Sequence, residues 1–142
     1  MTIPIQMSLP GFIATTPQLN FTGNGAARFY ARVGVEHYRK EADGSFTKLD
    51  STFHDLVAYA KTAERAYARF KVGDNFVASG YINEYELDRS GQTEAREEFV
   101  ARRIGHDVGR TRYEVDRTPS RQPDPPSADL SAAKEPAQVV GL

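Results

Sequence analysis

Arginine and tyrosine residues alternate along a stretch near the start of the chain. With the period of two that a strand imposes, one face carries Arg28, Tyr30, Arg32, Glu36 and Tyr38. The opposite face carries Phe29, Ala31, Val33 and Val35. Guanidinium groups contact phosphates, and an aromatic ring stacks on an unpaired base for about 1–3 kcal/mol, whatever the base. The face predicts single-stranded nucleic-acid binding, although tyrosines solvated by arginines on a half-buried sheet give the same pattern.

A second alternating stretch, Ser51–Ala60, leaves open which of its faces points into the core. One face carries Phe53, Asp55, Val57 and Tyr59, and the other carries Thr52, His54, Leu56 and Ala58. Phe53 and Tyr59 are six residues apart and point the same way on a strand. Exposed, they would extend the set of stacking rings; buried, they would be core. His54 among apolar neighbours is interpreted as a structural histidine.

The segment between these stretches has cations at both of its ends, namely Arg39, Lys40 and Lys48. A hairpin tip of this composition is often only solvated. Arg39 and Lys48 become candidate phosphate contacts if the neighbouring faces bind a polyanion. The same applies to Arg102 and Arg103 on the last predicted strand.

Composition excludes several other functions. The chain has no cysteine and only three histidines, with no metal-binding spacing among them. It has no nucleophile elbow and no phosphate-binding glycine-rich loop, so we expect neither an enzyme nor a cofactor or metal site. No apolar run approaches the about 18 residues of a membrane span, and the N-terminus does not resemble a secretory signal. We therefore expect a cytoplasmic protein without a membrane partner.

Turn signals at Asn24-Gly25, Asp43-Gly44 and Ser90-Gly91 divide the chain into strand-like stretches. A first strand bends near Pro10-Gly11; the others are predicted at Arg28–Tyr38, Ser51–Ala60, Asn75–Leu87 and Glu94–Ile104. Lys61–Phe70 is rich in helix formers and breaks the pattern. Five strands with one short helix after the third predict an all-β OB fold, a Greek-key barrel. We expect this domain over residues 1–114 and a disordered tail rich in proline, alanine and serine over 115–142.

The stretch Phe53–Asp74 resembles the bacterial single-stranded DNA-binding protein family. The family pattern is aromatic-His-x-Val-Val-x-aromatic-Gly-Lys-x-Ala-Glu, then a short helix ending near Lys-Gly-Asp. Its positions correspond here to Phe53, His54, Val57, Tyr59, Ala60, Lys61, Ala63 and Glu64. The segments Val77–Gly80, Ser90–Gln92, Thr16–Leu19 and Gly23–Gly25 are also similar to the family, so the resemblance covers about residues 8–110.

The resemblance implies an OB fold, a homotetramer and binding of single-stranded DNA by wrapping. It places the stacking aromatics on Tyr38, Phe53 and Tyr59 and a basic contact on Lys61. The implied function is to bind and protect single-stranded DNA without marked sequence preference in bacterial replication, recombination or repair. The alternatives are an OB-type protein-assembly module with weak or lost DNA binding and a single-stranded RNA-binding protein.

The chain also departs from the family pattern. It has no tryptophan, and its last predicted hairpin is acidic at Glu84, Glu86 and Asp88. It ends in Gln138–Leu142 without the acidic tip and terminal Pro-Phe of the family, so we do not expect recruitment of enzymes through a tip. The assignment of Tyr38 depends on strand register, with His37 as its neighbour. A net charge of −1 means that affinity must come from local arrangement and stacking.

Overall fold

The computed structural model describes residues 1–119. Met1–Arg112 form one compact unit, and a second unit begins at Tyr113. Within the described residues the elements are β1 (Met7–Ile13), β2 (Gln18–Phe21), β3 (Ala27–Lys40), β4 (Phe46–Tyr59), α1 (Ala60–Arg69), β5 (Asn75–Arg89) and β6 (Gln92–His106). Residues 113–119 form no helix or strand. Most of the predicted tail, 120–142, lies outside the described residues, so the boundary between domain and tail stays a prediction.

The strands close into a barrel. β1 pairs antiparallel with β5 and, at Phe12 and Ile13, with β3. β3 pairs with β4 and β5 pairs with β6, both antiparallel. β4 and β6 run parallel where Leu56 and Val57 face Phe99 and Val100, which completes the circuit β1-β3-β4-β6-β5-β1. This is the five-stranded OB barrel expected from the sequence.

One strand was not expected. β2 pairs with Ala27–Tyr30 of β3. It lies along the same edge of β3 with which β1 pairs further along the strand. The chain leaves the ladder between β1 and β2, where the Thr15 hydroxyl accepts the Arg32 backbone N–H at 3.0 Å. Pro17 has no N–H for a ladder hydrogen bond, so a single continuous first strand is interrupted there.

The predicted helix lies where the sequence placed it, between the third and fourth strands of the barrel. Its Ala63 and Ala66, together with Phe70 just beyond it, are buried in the core. These positions are three and four residues apart, which puts them on one side of a helix. The helix therefore covers the end of the barrel. Within residues 1–119 no helix is long and apolar enough to span a bilayer.

The interior of the barrel is filled by alternate residues of each strand. β3 contributes Phe29, Ala31 and Val33, as the period-two pattern predicted. The other main contributors are Ile13, Leu56, Ala58, Phe76, Ala78, Phe99 and Ala101. The residues between these positions point outward, and on β3 and β4 they form the surface on which the predicted binding residues lie.

Candidate nucleic-acid interface

The outward-facing residues of β3 and β4 form one continuous surface, which we call the outer face. In register, Arg28 lies opposite Tyr59, Tyr30 opposite Val57, Arg32 opposite Asp55 and Gly34 opposite Phe53. Directly opposite residues on one face of an antiparallel pair are in contact distance. The alternating arginines and tyrosines of β3 therefore lie beside the aromatic residues of β4.

The structure shows which face of β4 points into the core, a question that the sequence alone did not decide. Leu56 and Ala58 are fully buried in the barrel, so Phe53, Asp55, Val57 and Tyr59 point outward. Phe53 is 48% exposed and Tyr59 is 39% exposed. Interpreting this face as barrel core would have been wrong, and both rings are accessible from solvent.

A bulge in β4 decides whether Tyr38 or His37 belongs to the outer face. Val35 lies opposite Thr52, whereas His37 lies opposite Leu49, so β4 has one more residue than β3 in this interval. The extra residue leaves the alternation of β3 unbroken. Tyr38 consequently shares the outward direction of Arg28, Tyr30 and Arg32, and its side chain is 52% exposed.

Histidine contacts on the other side of the hairpin agree with this register. The ring nitrogen Nε2 of His37 lies 2.8 Å from the Thr52 hydroxyl, which lies 2.8 Å from Nε2 of His54. Thr52 and His54 belong to the face of β4 opposite Phe53. His54 thus has a hydrogen-bonding partner away from the outer face, as a structural histidine does.

Asp55 organises the centre of the outer face. Among the described residues it is the one polar or charged residue that is buried. It accepts hydrogen bonds from the Tyr30 hydroxyl at 2.7 Å and from Arg32 Nη1 at 3.0 Å, and Arg96 Nη2 lies 3.9 Å away. Burial raises the pKa of Asp55, but the hydrogen bonds and the arginine charges outweigh it and hold that pKa below its ordinary value.

The same network constrains Tyr30. Burial and the hydrogen bond to Asp55 raise the pKa of its hydroxyl above the ordinary value. The guanidinium of Arg28 lies 5.9 Å from the Tyr30 ring centroid, and its Nη2 lies 3.5 Å from Glu98. Tyr30, Arg28 and Arg32 are thus on the predicted face, but each has an acidic or aromatic partner there.

Lys48 lies opposite Tyr38 on the hairpin that extends from the barrel. Its Nζ lies 3.1 Å from Glu36, and Arg110 Nη1 lies 3.4 Å from the other oxygen of Glu36. Hydrogen bonds from Lys48 and Arg110 lower the pKa of Glu36, and the same contact raises the pKa of Lys48. Lys48 therefore shares the surface of Tyr38 and carries a neutralising partner.

Two predicted contacts lie apart from this cluster. Arg39 points away from Tyr38, because neighbouring residues of a strand face opposite sides, and its Nε lies 3.2 Å from Glu41. Lys61 is exposed at the second position of α1, two residues after Tyr59. The structure thus groups Tyr38, Phe53, Tyr59, Tyr30, Arg28, Arg32 and Lys48 on the outer face and leaves Arg39 and Lys61 at its margins.

Sequence reasoning missed two aromatic residues of this surface. Phe12 of β1 lies over Gly34, where an added Cβ would collide with the Phe12 ring, and it packs edge-to-face on Phe53 at 6.3 Å. Phe46 lies opposite Lys40 at the exposed end of the hairpin, on the side of Tyr38 and Lys48. A pattern search confined to the centre of each strand could not include either ring.

A closed five-stranded barrel with a helix between its third and fourth strands defines the class of the OB-fold binding proteins. Within the described residues, no group of three or more His, Cys, Asp or Glu side chains is placed to hold a metal ion. The model of the single-strand binding protein family matches residues 5–107. The chain belongs to the single-strand binding protein family.

A protein and a solved structure from Streptomyces coelicolor are similar to the chain. Single-stranded DNA-binding protein 1 is 29% identical over 139 residues, which cover 92% of this chain and 87% of that protein. The crystal structure of a small single-stranded DNA-binding protein matches with a TM-score of 0.63 and 27% identity, over 75% of this chain and 97% of the other. A deletion mutant of the Thermus aquaticus single-stranded DNA-binding protein shares the fold, with a TM-score of 0.61 and 16% identity over 72% of this chain and 50% of its own.

Proposed function

We propose that this protein binds and protects single-stranded DNA, without marked sequence preference, by stacking bases on the aromatic rings of the outer face. The observation that carries the proposal is that Tyr38, Phe53 and Tyr59 point to one side of the β3–β4 sheet and are each 39% exposed or more. Family membership and the names of the relatives support DNA as the ligand. We propose no catalytic step.

Stacking contributes more than charge on this surface. Arg28, Arg32 and Lys48 are held by Glu98, Asp55 and Glu36 respectively. A cation that already has a carboxylate partner must exchange it to meet a phosphate, so its net contribution to binding is small. Rings need no such exchange, and each stacked base contributes about 1–3 kcal/mol.

We further propose that the protein acts as a homotetramer on DNA in replication, recombination or repair, in the bacterial cytoplasm. Among the described residues, Met7–Gly11 of β1 pair with β5 on one side and with no strand on the other. The apolar side chains of Ile3, Ile5 and Met7 precede or begin this edge and are exposed. An unpaired apolar edge supports self-association. Sedimentation of the full chain at micromolar concentration should give four times the chain mass, and a monomer would contradict the tetramer.

Fluorescence anisotropy with labelled single-stranded DNA, single-stranded RNA and duplex DNA at two salt concentrations tests the ligand. We expect the tightest binding with single-stranded DNA. Phe53→Ala should weaken binding about fivefold or more, since one stack is worth at least about 1 kcal/mol. Tyr67→Ala on α1 is the matched control, because Tyr67 is also 48% exposed but lies off the outer face. Equal binding by the parent and a folded Phe53→Ala variant would contradict stacking on this face.

A further inference from the structure

Four arginines that the outer face does not use line a groove between α1 and β6. Arg65 and Arg69 come from the helix and Arg102 and Arg103 from the strand. The groove has a volume of about 240 Å³, and its remaining lining residues are Thr62, Ala66, Phe70 and Ile104. No carboxylate belongs to the lining. We call this feature the arginine groove.

The pairing of these arginines differs from that of five other arginines of the domain. Arg28, Arg32, Arg39, Arg96 and Arg110 each lie within 4.0 Å of a carboxylate. Within residues 1–119, none of the four groove arginines forms such an ion pair. Arg102 instead lies 5.0 Å from the ring centroid of Tyr81, which holds its guanidinium by a cation–π contact. The groove thus concentrates positive charge without an internal counter-charge.

The helix places its cations in a line that starts at the outer face. Lys61, Arg65 and Arg69 are spaced by four residues, which puts them on one side of α1 over about 12 Å. Like charges at this spacing destabilise a helix by about 0.2–0.5 kcal/mol per pair. Glu64 does not belong to the lining of the groove. The line begins two residues after Tyr59, one of the proposed stacking rings.

We propose that the arginine groove binds the phosphate backbone of the single strand whose bases stack on the outer face. The inference rests on the proposed function and adds to it the place where the negative charge of the DNA phosphates is neutralised. A strand leaving Tyr59 would pass Lys61 and enter a groove whose guanidinium groups can meet phosphates without first giving up a carboxylate. The outer face then orders the bases, and the groove supplies most of the salt-dependent part of binding.

The salt dependence of oligonucleotide binding by the full chain tests this division. We compare the parent with Arg65→Gln/Arg69→Gln and with Arg102→Gln/Arg103→Gln, using DNA of about 4 and about 16 nucleotides, the limits of OB-fold site size. With the longer DNA, each double variant should have a salt slope shallower by about 1.4, since each phosphate contact contributes about 0.7. Between 50 and 200 mM salt the parent should therefore lose about sevenfold more affinity than the variant. The shorter DNA should show no such difference.

Two control variants separate groove binding from other causes. Arg112→Gln/Arg117→Gln removes the same charge beyond β6 and should retain the parent slope. Arg65→Lys/Arg69→Lys keeps the charge and should also retain it, with thermal melting confirming that each variant is folded. If the salt slope falls equally with both DNA lengths, or falls by the same amount in Arg112→Gln/Arg117→Gln, the effect is one of general charge and the proposal is overturned.

The remaining outcomes are equally decisive. If the parent binds the longer DNA and both groove variants have the parent slope, the groove does not contact DNA although the proposed function stands. If the parent binds no single-stranded DNA, the proposed function itself fails. A labelled polyglutamate peptide that binds the parent but not the groove variants, with DNA binding unchanged, would overturn the proposal in favour of an acidic protein partner.

Discussion

Replacing Tyr38 by alanine should weaken binding of single-stranded DNA while leaving the fold intact. The side chain is 52% exposed on a hairpin that extends beyond the barrel, so its removal leaves no cavity in the core. A stacked base is worth about 1–3 kcal/mol. Because the hairpin must be ordered when DNA binds, we expect the lower part of this range, about 1–2 kcal/mol, which is about a 5- to 30-fold increase in Kd.

The neighbouring residue provides the matched control. His37 points to the opposite side of the same strand, where it contacts Thr52, so His37→Ala should change Kd by less than the tyrosine substitution does. Both variants are titrated against a fluorescently labelled oligonucleotide at one salt concentration, after thermal melting shows that they are folded. If His37→Ala weakens binding and Tyr38→Ala does not, the strand register and the bulge that sets it are wrong for the bound protein.

Three further substitutions test the scaffold by chemical denaturation. Gly80→Ala should lower the free energy of unfolding by about 1–3 kcal/mol, because its Cβ would collide with the Val100 carbonyl, and an unchanged midpoint would refute that close approach. Ala60→Gly should raise it by about 1 kcal/mol, because Ala60 has a φ of 59°, and a loss of stability would show that the left-handed conformation is not strained. Asp55→Asn should lower the free energy of unfolding by about 1–2 kcal/mol at pH 7. This value allows for the partial solvent exposure of Arg32, which weakens the ion pair. Since the folded pKa of Asp55 is lowered, this cost should shrink as the pH falls below about 4, and a pH-independent cost would contradict the ion pair.

Much of the barrel could be predicted because local signals and tertiary structure agree there. The β3 pattern alternates cleanly, and its Phe29, Ala31 and Val33 are all fully buried. The turn at Ser90-Gly91 has positive φ at both residues, as a two-residue hairpin turn requires. The helix follows from its composition. In each of these stretches the residues are compatible with only one buried face or one turn type. The sequence pattern alone therefore predicts the local structure.

Other features depend on partners that are distant in sequence. The bulge that orients Tyr38 becomes visible only when β3 and β4 are paired, because it is a difference in length between two strands. The arginine groove joins residues of α1 and β6 more than 30 positions apart. Neither the Arg65–Arg69 spacing nor the Arg102-Arg103 pair is informative alone, since solvated helices and strand ends carry such cations in many proteins.

The ambiguity over β4 came from Asp55, and that residue also explains how the outer face works. A carboxylate between Phe53 and Val57 argues against a core face, yet the structure buries it under Tyr30 and Arg32. The buried charge requires those partners, and it thereby fixes the ring of Tyr30 and occupies the guanidinium of Arg32. The centre of the face is consequently rigid and nearly neutral, while its exposed rings remain available. A strand that stacks on these rings must have its phosphates neutralised elsewhere, and the groove beside α1 offers guanidinium groups that no carboxylate in residues 1–119 holds.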